Sequence, residues 1–369
     1  MTRVCHMTSV HPWDDVRIFH KECRSLARAG FDVHLVACAP RTICVDGVNV
    51  HAVPKAQGGR LHRMLATAWR VYQTARALNA DVYHFHDPEL IPYGLLLKWQ
   101  GRKVVYDVHE DVPRDILSKH WITPRLRRRL SQAFEWVEDF AAKRFASVVA
   151  ATPFIAQRFA RVNPSSVDVN NYPAEFAELA RQGCADKAGS RNLCYIGGIG
   201  TIRGAFEMVR ALEFVDARLI MAGPFQSTAI EEELRSLPGW KKVDYRGVVD
   251  REGVARILAE SRIGLVLLHP VINYLDSLPV KMFEYMAAGL PVVASDFPYW
   301  RSLLADAGAG VCVDPLDPRA IARCIETLLE RPDEAVRMGD AGRRAVSDRY
   351  RWDHESDKLI ALYGHLAAR

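Results

Sequence analysis

At 369 residues, 49% of them hydrophobic and 25% charged, the chain exceeds one ordinary core and has the balance of a soluble globular protein of two domains. No apolar run approaches the roughly 20 residues that cross a bilayer, which excludes a helical membrane protein. The net charge of +5 is unevenly placed: the first 165 residues hold 24 Lys and Arg against 15 Asp and Glu, the remainder 25 against 29.

The chain opens on Met1-Thr2-Arg3-Val4-Cys5-His6, which enters a strand without the charged segment, apolar stretch and cleavage site of a signal peptide; a cytoplasmic location is expected. Strands are predicted at Val33 to Ala37, Asp81 to Phe85 and Lys103 to Asp107, with helical patterns at Phe19 to Ala29 and Leu61 to Leu78 between them. This alternation implies a parallel sheet with helices on both faces. The basic run Arg125-Leu126-Arg127-Arg128-Arg129-Leu130 follows Trp121, and could rest on anionic lipid or form a solvated helix face. No nucleic-acid partner is expected.

A polar, irregular stretch from about Asn163 to Arg191 is read as the linker. Strands then resume at Leu193 to Ile196, Arg218 to Ala222, Val243 to Tyr245, Ile263 to Leu268 and Pro291 to Ala294, so that two Rossmann-like domains follow in tandem. The domains are placed at residues 1–170 and 191–350, with 171–190 between them and 351–369 as a final helix packing on the first domain. Eight cysteines (Cys5, Cys23, Cys38, Cys44, Cys184, Cys194, Cys312, Cys324) lie without a C-x-x-C pair, several in apolar runs, and read as reduced, buried thiols.

Two constellations carry chemistry. In Cys194-Tyr195-Ile196-Gly197-Gly198-Ile199-Gly200-Thr201-Ile202-Arg203-Gly204 a strand ends, glycines permit a tight turn and a predicted helix from Ala205 to Leu212 begins, a setting for phosphate or only a tight turn. The spacing misses G-x-G-x-x-G by one residue and lacks the G-K-[S/T] ending, so nicotinamide and nucleoside-triphosphate binding are not favoured. The second runs from Asp276-Ser277-Leu278-Pro279-Val280-Lys281-Met282-Phe283-Glu284-Tyr285 to Gly289-Leu290-Pro291-Val292-Val293-Ala294-Ser295. Pro279 suits a first helical turn, Gly289 its end, and Phe283, Met286 and Ala287 its buried stripe. Asp276 and Lys281 then lie at the helix entry with Glu284 one turn on. Glu284 can accept from both hydroxyls of a ribose and Lys281 can offer charge to a diphosphate, while the alternative is a capped helix with solvated charges.

An acidic residue, seven intervening residues and a glutamate, running through F-E-Y-M-A-x-G-x-P-V-V-A, resembles the donor-site signature of glycosyltransferase family 4, the retaining family with the GT-B fold. Similarity extends to His11 through Glu22 and Ser25 through Val33, to Asp81 through Glu89, Val105 through Glu110, Asn170 to Pro173, Met221 to Pro224 and Tyr350-Arg351-Trp352. The resemblance implies an α/β GT-B chain of two Rossmann-like domains facing across a cleft, with a C-terminal helix crossing back to the N-terminal domain. It implies that a sugar passes from a UDP-sugar or GDP-sugar to a hydroxyl of a glycan or lipid-linked acceptor, with retention by front-side attack and, since no D-x-D motif appears, without a metal. Such an enzyme, a hexosyltransferase by class, would serve bacterial surface polysaccharide assembly (lipopolysaccharide, capsule or exopolysaccharide), peripheral on the inner membrane face through Trp121, Arg125, Arg127, Arg128 and Arg129.

Residue by residue, the resemblance implies Glu284 on the donor ribose, Asp276 near the transferred sugar, His109 in the cleft near the reacting sugar, and Arg203 with Lys281 and the backbone of Gly197, Gly198 and Gly200 on the diphosphate. Catalytic roles fall to His109, Arg203, Lys281 and Asp276. Two departures stand out: Asp276 where the family usually has glutamate, and Gly198 where many members carry arginine. Alternatives are a sugar-nucleotide 2-epimerase or phosphorylase of the same fold, a non-catalytic sugar-nucleotide binder, and a metal-dependent hydrolase using His84, His86 and Asp87 with His109.

Overall fold

The computed structural model describes residues 1–56, 59–119, 121–174 and 189–368. Its chain contacts divide it into two units, Met1–Asn171 with Trp352–Arg369, and Tyr172–Arg351. Most of the linker predicted between the domains, and Cys184, lie outside the described residues.

In the first unit β1 (Arg3–Pro12), β2 (Asp32–Cys38), β3 (Ile43–Val45), β4 (Val48–Val53), β5 (Val82–Phe85), β6 (Lys103–Val108), β7 (Ser147–Ala150) and β8 (Val167–Asp168) form a sheet in the order β3-β4-β2-β1-β5-β6-β7-β8. All neighbours are parallel except β3 with β4. The six strands from β4 to β7 are wound in the doubly wound order, whose direction of travel reverses between β1 and β5. Both faces are covered, so apolar side chains line the two sides of the sheet: Val4, Val33, Leu35, Val82, Val105 and Val149 are buried on one side, Met7, Val36, Phe85, Val104 and Val148 on the other.

Two local features depart from the predicted pattern. Val16–Cys23 is a wide helical turn in which the His20 amide reaches back to the Asp15 carbonyl (3.2 Å), and an ordinary helix holds only Arg24–Arg28. The widened turn points Arg17, Lys21 and Glu22 inward with Ile18 and Phe19, so three charged side chains are buried where a regular helix was expected. The stretch read as linker contains β8, too short for a periodicity signal. Strands β3, β4 and β7 likewise escaped the prediction.

The last helix, Trp352–Ala368, belongs to the first unit: Trp352 Nε1 donates to Ser25 Oγ (2.9 Å), Lys103 Nζ donates to the Leu366 carbonyl (2.7 Å), and Leu359, Tyr363 and Leu366 enter the core.

In the second unit β9 (Asn192–Ile196), β10 (Arg218–Ala222), β11 (Val243–Tyr245), β12 (Ile263–Val266), β13 (Val292–Ser295) and β14 (Gly310–Val313) form an all-parallel sheet in the order β11-β10-β9-β12-β13-β14. The order is doubly wound again, with its reversal between β9 and β12. β14 lacked a sequence prediction. Cysteines 5, 23 and 194 are buried, 38, 312 and 324 half-buried, and Cys44 is exposed; all are thiols.

Candidate active site

In sheets of this winding a crevice opens beyond the strand ends where the order reverses. In the second unit that place lies between the loop after β9 and the loop after β12. Gly197 occupies φ +134, and a Cβ there would stand 2.7 Å from Lys281 Nζ. Gly204, at φ +73, leaves room for the Leu267 carbonyl, which a Cβ would meet at 1.8 Å. The two glycines therefore let the β9 loop close against both the end of β12 and the lysine. Between them the loop makes one tight helical turn at Thr201–Arg203, and the helix behind it, Ala205–Ala211, is shorter than predicted.

Arg203 folds back over Gly198, whose Cβ would lie 3.7 Å from the guanidinium, an ordinary contact. Gly200 is buried, and its carbonyl accepts from the Arg203 amide (3.1 Å). Lys281, from helix Val280–Ala287, reaches the same place: its Nζ lies 3.9 Å from the centroid of the Tyr195 ring and is buried without a hydrogen-bond partner among the described residues. Burial above all, and then the Arg203 charge, pull its ammonium pKa down to about 7. Tyr195 is the residue that sequence reasoning missed; its hydroxyl donates to the Gly198 carbonyl (2.6 Å), and burial pushes its pKa up to about 12.

Glu284 stands one turn beyond Lys281 and accepts from Arg251 Nη1 (2.8 Å), a partner 33 positions away that the motif did not suggest. Asp276 corrects the expected picture: the helix starts at Val280, Pro279 is extended (ψ 119), and Asp276 sits in the preceding loop instead of at the helix entry. The Ser277 carbonyl accepts from Trp300 Nε1 (2.7 Å), which pins that loop. The predicted stripe of Phe283, Met286 and Ala287 is fully buried.

The first unit carries its own polar cluster where its winding reverses. Alternation along a strand puts His84 and His86 on one face and Asp107 and His109 on one face, and the parallel register sets His6 opposite His84. Arg17 Nη2 and Nε bond the Asp107 oxygens (2.9 and 3.2 Å), and Nε lies 3.0 Å from Glu22 Oε1. His86 Nδ1 and His109 Nε2 lie 3.2 and 3.3 Å from the same Asp107 Oδ2. Burial acts to raise the Asp107 pKa, but Arg17 and the histidines outweigh it and hold the carboxylate well below its usual range; burial raises that of Glu22.

The hydrolase alternative needs Asp87 beside His84 and His86. Asp87 instead turns to the end of β1, where its Oδ2 accepts from Thr8 Oγ1 (2.8 Å) and the Ser9 amide (2.6 Å). A different set of potential ligand atoms, from Glu22, His84, His86 and Asp107, does lie within 4.8 Å of one another, but Arg17 already places its positive charge on both carboxylates.

On the helix Pro124–Ala142, Arg125, Arg128 and Arg129 are exposed, as is Trp121 before it. Arg127 is a correction: it is half-buried and donates to the Leu117 carbonyl (2.9 Å). Among the described residues no helix is long and apolar enough to cross a membrane.

A model of the glycosyl transferase 4-like domain matches residues 16–171, and one described as glycosyl transferase-like matches 204–361. The phosphatidyl-myo-inositol mannosyltransferase of Mycobacterium leprae is 33% identical over 42% of this chain, which spans only 39% of that protein's length. The D-rhamnosyltransferase WbpZ of Pseudomonas aeruginosa is 23% identical over 91% of this chain and 86% of its own. The Anabaena protein HepE, solved with UDP and glucose, superposes with a TM-score of 0.74 over 99% of this chain and 100% of its own at 15% identity.

Two doubly wound domains in tandem, followed by a last helix that returns to the first, define the GT-B class of fold. The chain belongs to the family 4 glycosyltransferases, whose two domains follow one another in it.

Proposed function

We propose that this protein transfers a sugar from a nucleotide-diphosphate donor to a hydroxyl with retention of configuration, and that the observation carrying this is the convergence of Arg203 and the buried Lys281 on Tyr195 at the switch point of the second sheet. A departing nucleoside diphosphate gains negative charge as its bond to the sugar breaks, and two cations placed beside it, the buried Lys281 ammonium and the exposed Arg203 guanidinium, stabilise that state more than the ground state. Glu284 takes the ribose hydroxyls, exchanging its Arg251 partner for them, and Asp276 meets the sugar from its loop. His109 takes part at the reacting sugar. The acceptor hydroxyl attacks from the face the diphosphate leaves and gives it its proton, so no protein nucleophile is required. No divalent metal is needed, since the two cations supply the charge; loss of transfer with a chelator and recovery with Mg²⁺ would sink this point.

Several relatives act on lipid-linked or glycan acceptors by name, as in the mannosyltransferase above. The acceptor here is a glycan or lipid-linked glycan of bacterial surface polysaccharide assembly, bound by the first domain, and the enzyme works at the cytoplasmic face of the membrane. The testing experiment is a thermal-shift screen with UDP, GDP, ADP and their sugar conjugates on the wild type and Glu284→Ala. Stabilisation by one nucleotide, lost in the variant, is expected and fixes the base; stabilisation that survives the substitution removes Glu284 from the donor site.

A further inference from the structure

The polar cluster of the first unit is wired in one direction. Beginning from His84, Nδ1 lies 2.7 Å from the Tyr363 hydroxyl, that hydroxyl 3.3 Å from His6 Nε2, and His6 Nδ1 3.0 Å from His86 Nε2. His86 Nδ1 then meets Asp107 Oδ2, where His109 Nε2 also arrives, and these two nitrogens stand 3.1 Å apart because they share one oxygen. An ionised carboxylate accepts only, and a neutral imidazole has one donor and one acceptor nitrogen. Asp107 therefore sets the polarity of everything attached to it. His86 must carry its hydrogen on Nδ1, so its Nε2 accepts from His6 Nδ1–H; His6 Nε2 accepts from Tyr363, whose oxygen accepts from His84 Nδ1–H. Each of these contacts then holds one hydrogen. Reversing the chain would aim the His86 lone pair at the carboxylate 3.2 Å away.

His6, His84, His86, Asp107 and Tyr363 are all buried, which keeps water from supplying alternative partners. Burial also lowers the pKa values of the three histidines, keeping them neutral and the chain singly wired. His109 is the end of the chain that is still partly exposed (17%), and among the described residues its hydrogen bonds all run through Nε2.

We infer that Asp107, backed by His86, His6, Tyr363 and His84, is a positioning residue that holds a hydrogen on His109 Nε2, so that the uncharged form of this ring is the Nε2–H tautomer and presents its bare Nδ1 as an acceptor for a sugar hydroxyl. The inference deepens the reading of His109 given above and rests on it for the ligand. A ring wired this way suits a neutral sugar with a hydroxyl at that point; a uronate carboxylate would need a hydrogen on Nδ1.

The test uses the whole chain with ¹⁵N-labelled histidine, recorded as long-range ¹H–¹⁵N correlations at about pH 8, above the usual imidazole range, and assigned with single His→Gln variants. A protonated Nε2 with a bare Nδ1 is expected at His109, and protonated Nδ1 at His86 and His6. His109 protonated on Nδ1, or averaging between both forms, in the wild type overturns the inference whether or not any variant folds. Zinc that binds stoichiometrically and abolishes the His84 and His86 N–H signals also overturns it, because the cluster would then be a metal site. In Asp107→Asn the His109 signals should move toward the average of both tautomers, with donor KM raised on the order of tenfold and kcat within about twofold, since a hydrogen bond made equally in the ground and transition states acts on KM alone. Unchanged His109 signals in that variant overturn the role of Asp107. The two layers separate cleanly: a fixed Nε2–H tautomer with His109→Ala kinetics equal to wild type leaves the wiring standing and removes the sugar contact.

Discussion

The ammonium group of Lys281 lies 3.9 Å from the centroid of the Tyr195 ring, buried, with no hydrogen-bond partner among the described residues. A cation kept this dry is a cost to the folded protein, borne by a site whose proposed ligand is a dianion.

The first prediction concerns protons. Burial, then Arg203, bring the Lys281 pKa down to about 7, so near pH 8 the folded protein holds this amine mostly neutral while the unfolded chain holds it protonated. The unfolded state binds more protons between that value and the ordinary lysine range, so stability rises with pH across this window and the cost is largest at and below neutrality. Diphosphate binding should raise the pKa and draw in up to one proton. Calorimetry of UDP or GDP binding near pH 8, in two buffers of different ionisation enthalpy, should show this uptake, and Lys281→Met should abolish it while weakening binding about tenfold or more. The same heat in both buffers would contradict the prediction.

A second prediction follows from the Arg251 to Glu284 ion pair at 2.8 Å, in which Arg251 is half exposed and Glu284 mostly covered. If the ribose replaces Arg251 on Glu284, the pair competes with the donor. Arg251→Ala should then leave nucleotide affinity equal or up to a few-fold tighter, whereas Glu284→Gln should weaken it about tenfold, each partly exposed pair being worth on the order of 1 kcal/mol. Equilibrium titration of both variants checks this, and equal losses in the two would show that Arg251 helps hold the nucleotide.

The third prediction is acid lability. His6, His84 and His86 have pKa values lowered by burial, so below the ordinary imidazole range the unfolded chain gains protons that the folded chain refuses, and stability falls with pH. Glu22, raised by burial, works in the opposite sense and offsets one of the three. The net effect of the cluster is a fall in stability as pH drops below the ordinary imidazole range. Melting temperature measured from pH 7.5 to 5 should drop steeply, and Tyr363→Phe, which breaks the chain at its middle, should lower the whole curve. A flat profile to pH 5 would mean that the cluster takes up protons without penalty.

Much of this was legible in the chain. The strand Arg218–Ala222 announces itself by the apolar run Leu219-Ile220-Met221-Ala222, and the helix bearing Phe283 and Met286 declares its face by spacing. Tyr195 could not be seen as a site residue, because inside a strand an aromatic reads as core; only the fold brings a lysine 86 positions later over its ring. Arg251 was hidden for the same reason. The widened turn at Val16–Cys23 leaves no periodic trace, so the burial of Arg17 and Glu22 was invisible, and with it the charge that orders His86 and His109. The H-x-H of His84 and His86 and the D-x-H of Asp107 and His109 did carry a usable signal: the period of two places each pair on one sheet face.

The last prediction concerns the membrane. Trp121 is 80% exposed and Trp136 70%, and on the helix Pro124–Ala142 Leu126, Leu130, Val137 and Phe140 recur at helical spacing on the surface. An indole that far out in water is poorly placed, whereas at a lipid headgroup layer its ring and N–H are both accommodated. Arg125, Arg128 and Arg129 supply charge of the matching sign, each worth about 1 kcal/mol near an anionic surface, and Arg127 is excluded because the Leu117 carbonyl holds it. Sedimentation with phosphatidylglycerol vesicles at low salt should therefore fall about a hundredfold in Arg125→Ser/Arg128→Ser/Arg129→Ser, fall further with Trp121→Ser and Trp136→Ser, and change little in Arg127→Ser. Should the wild type fail to sediment at low salt, or the triple variant sediment equally, the exposed tryptophans need another partner, and the apolar spacing on this helix makes a protein surface the next one to test.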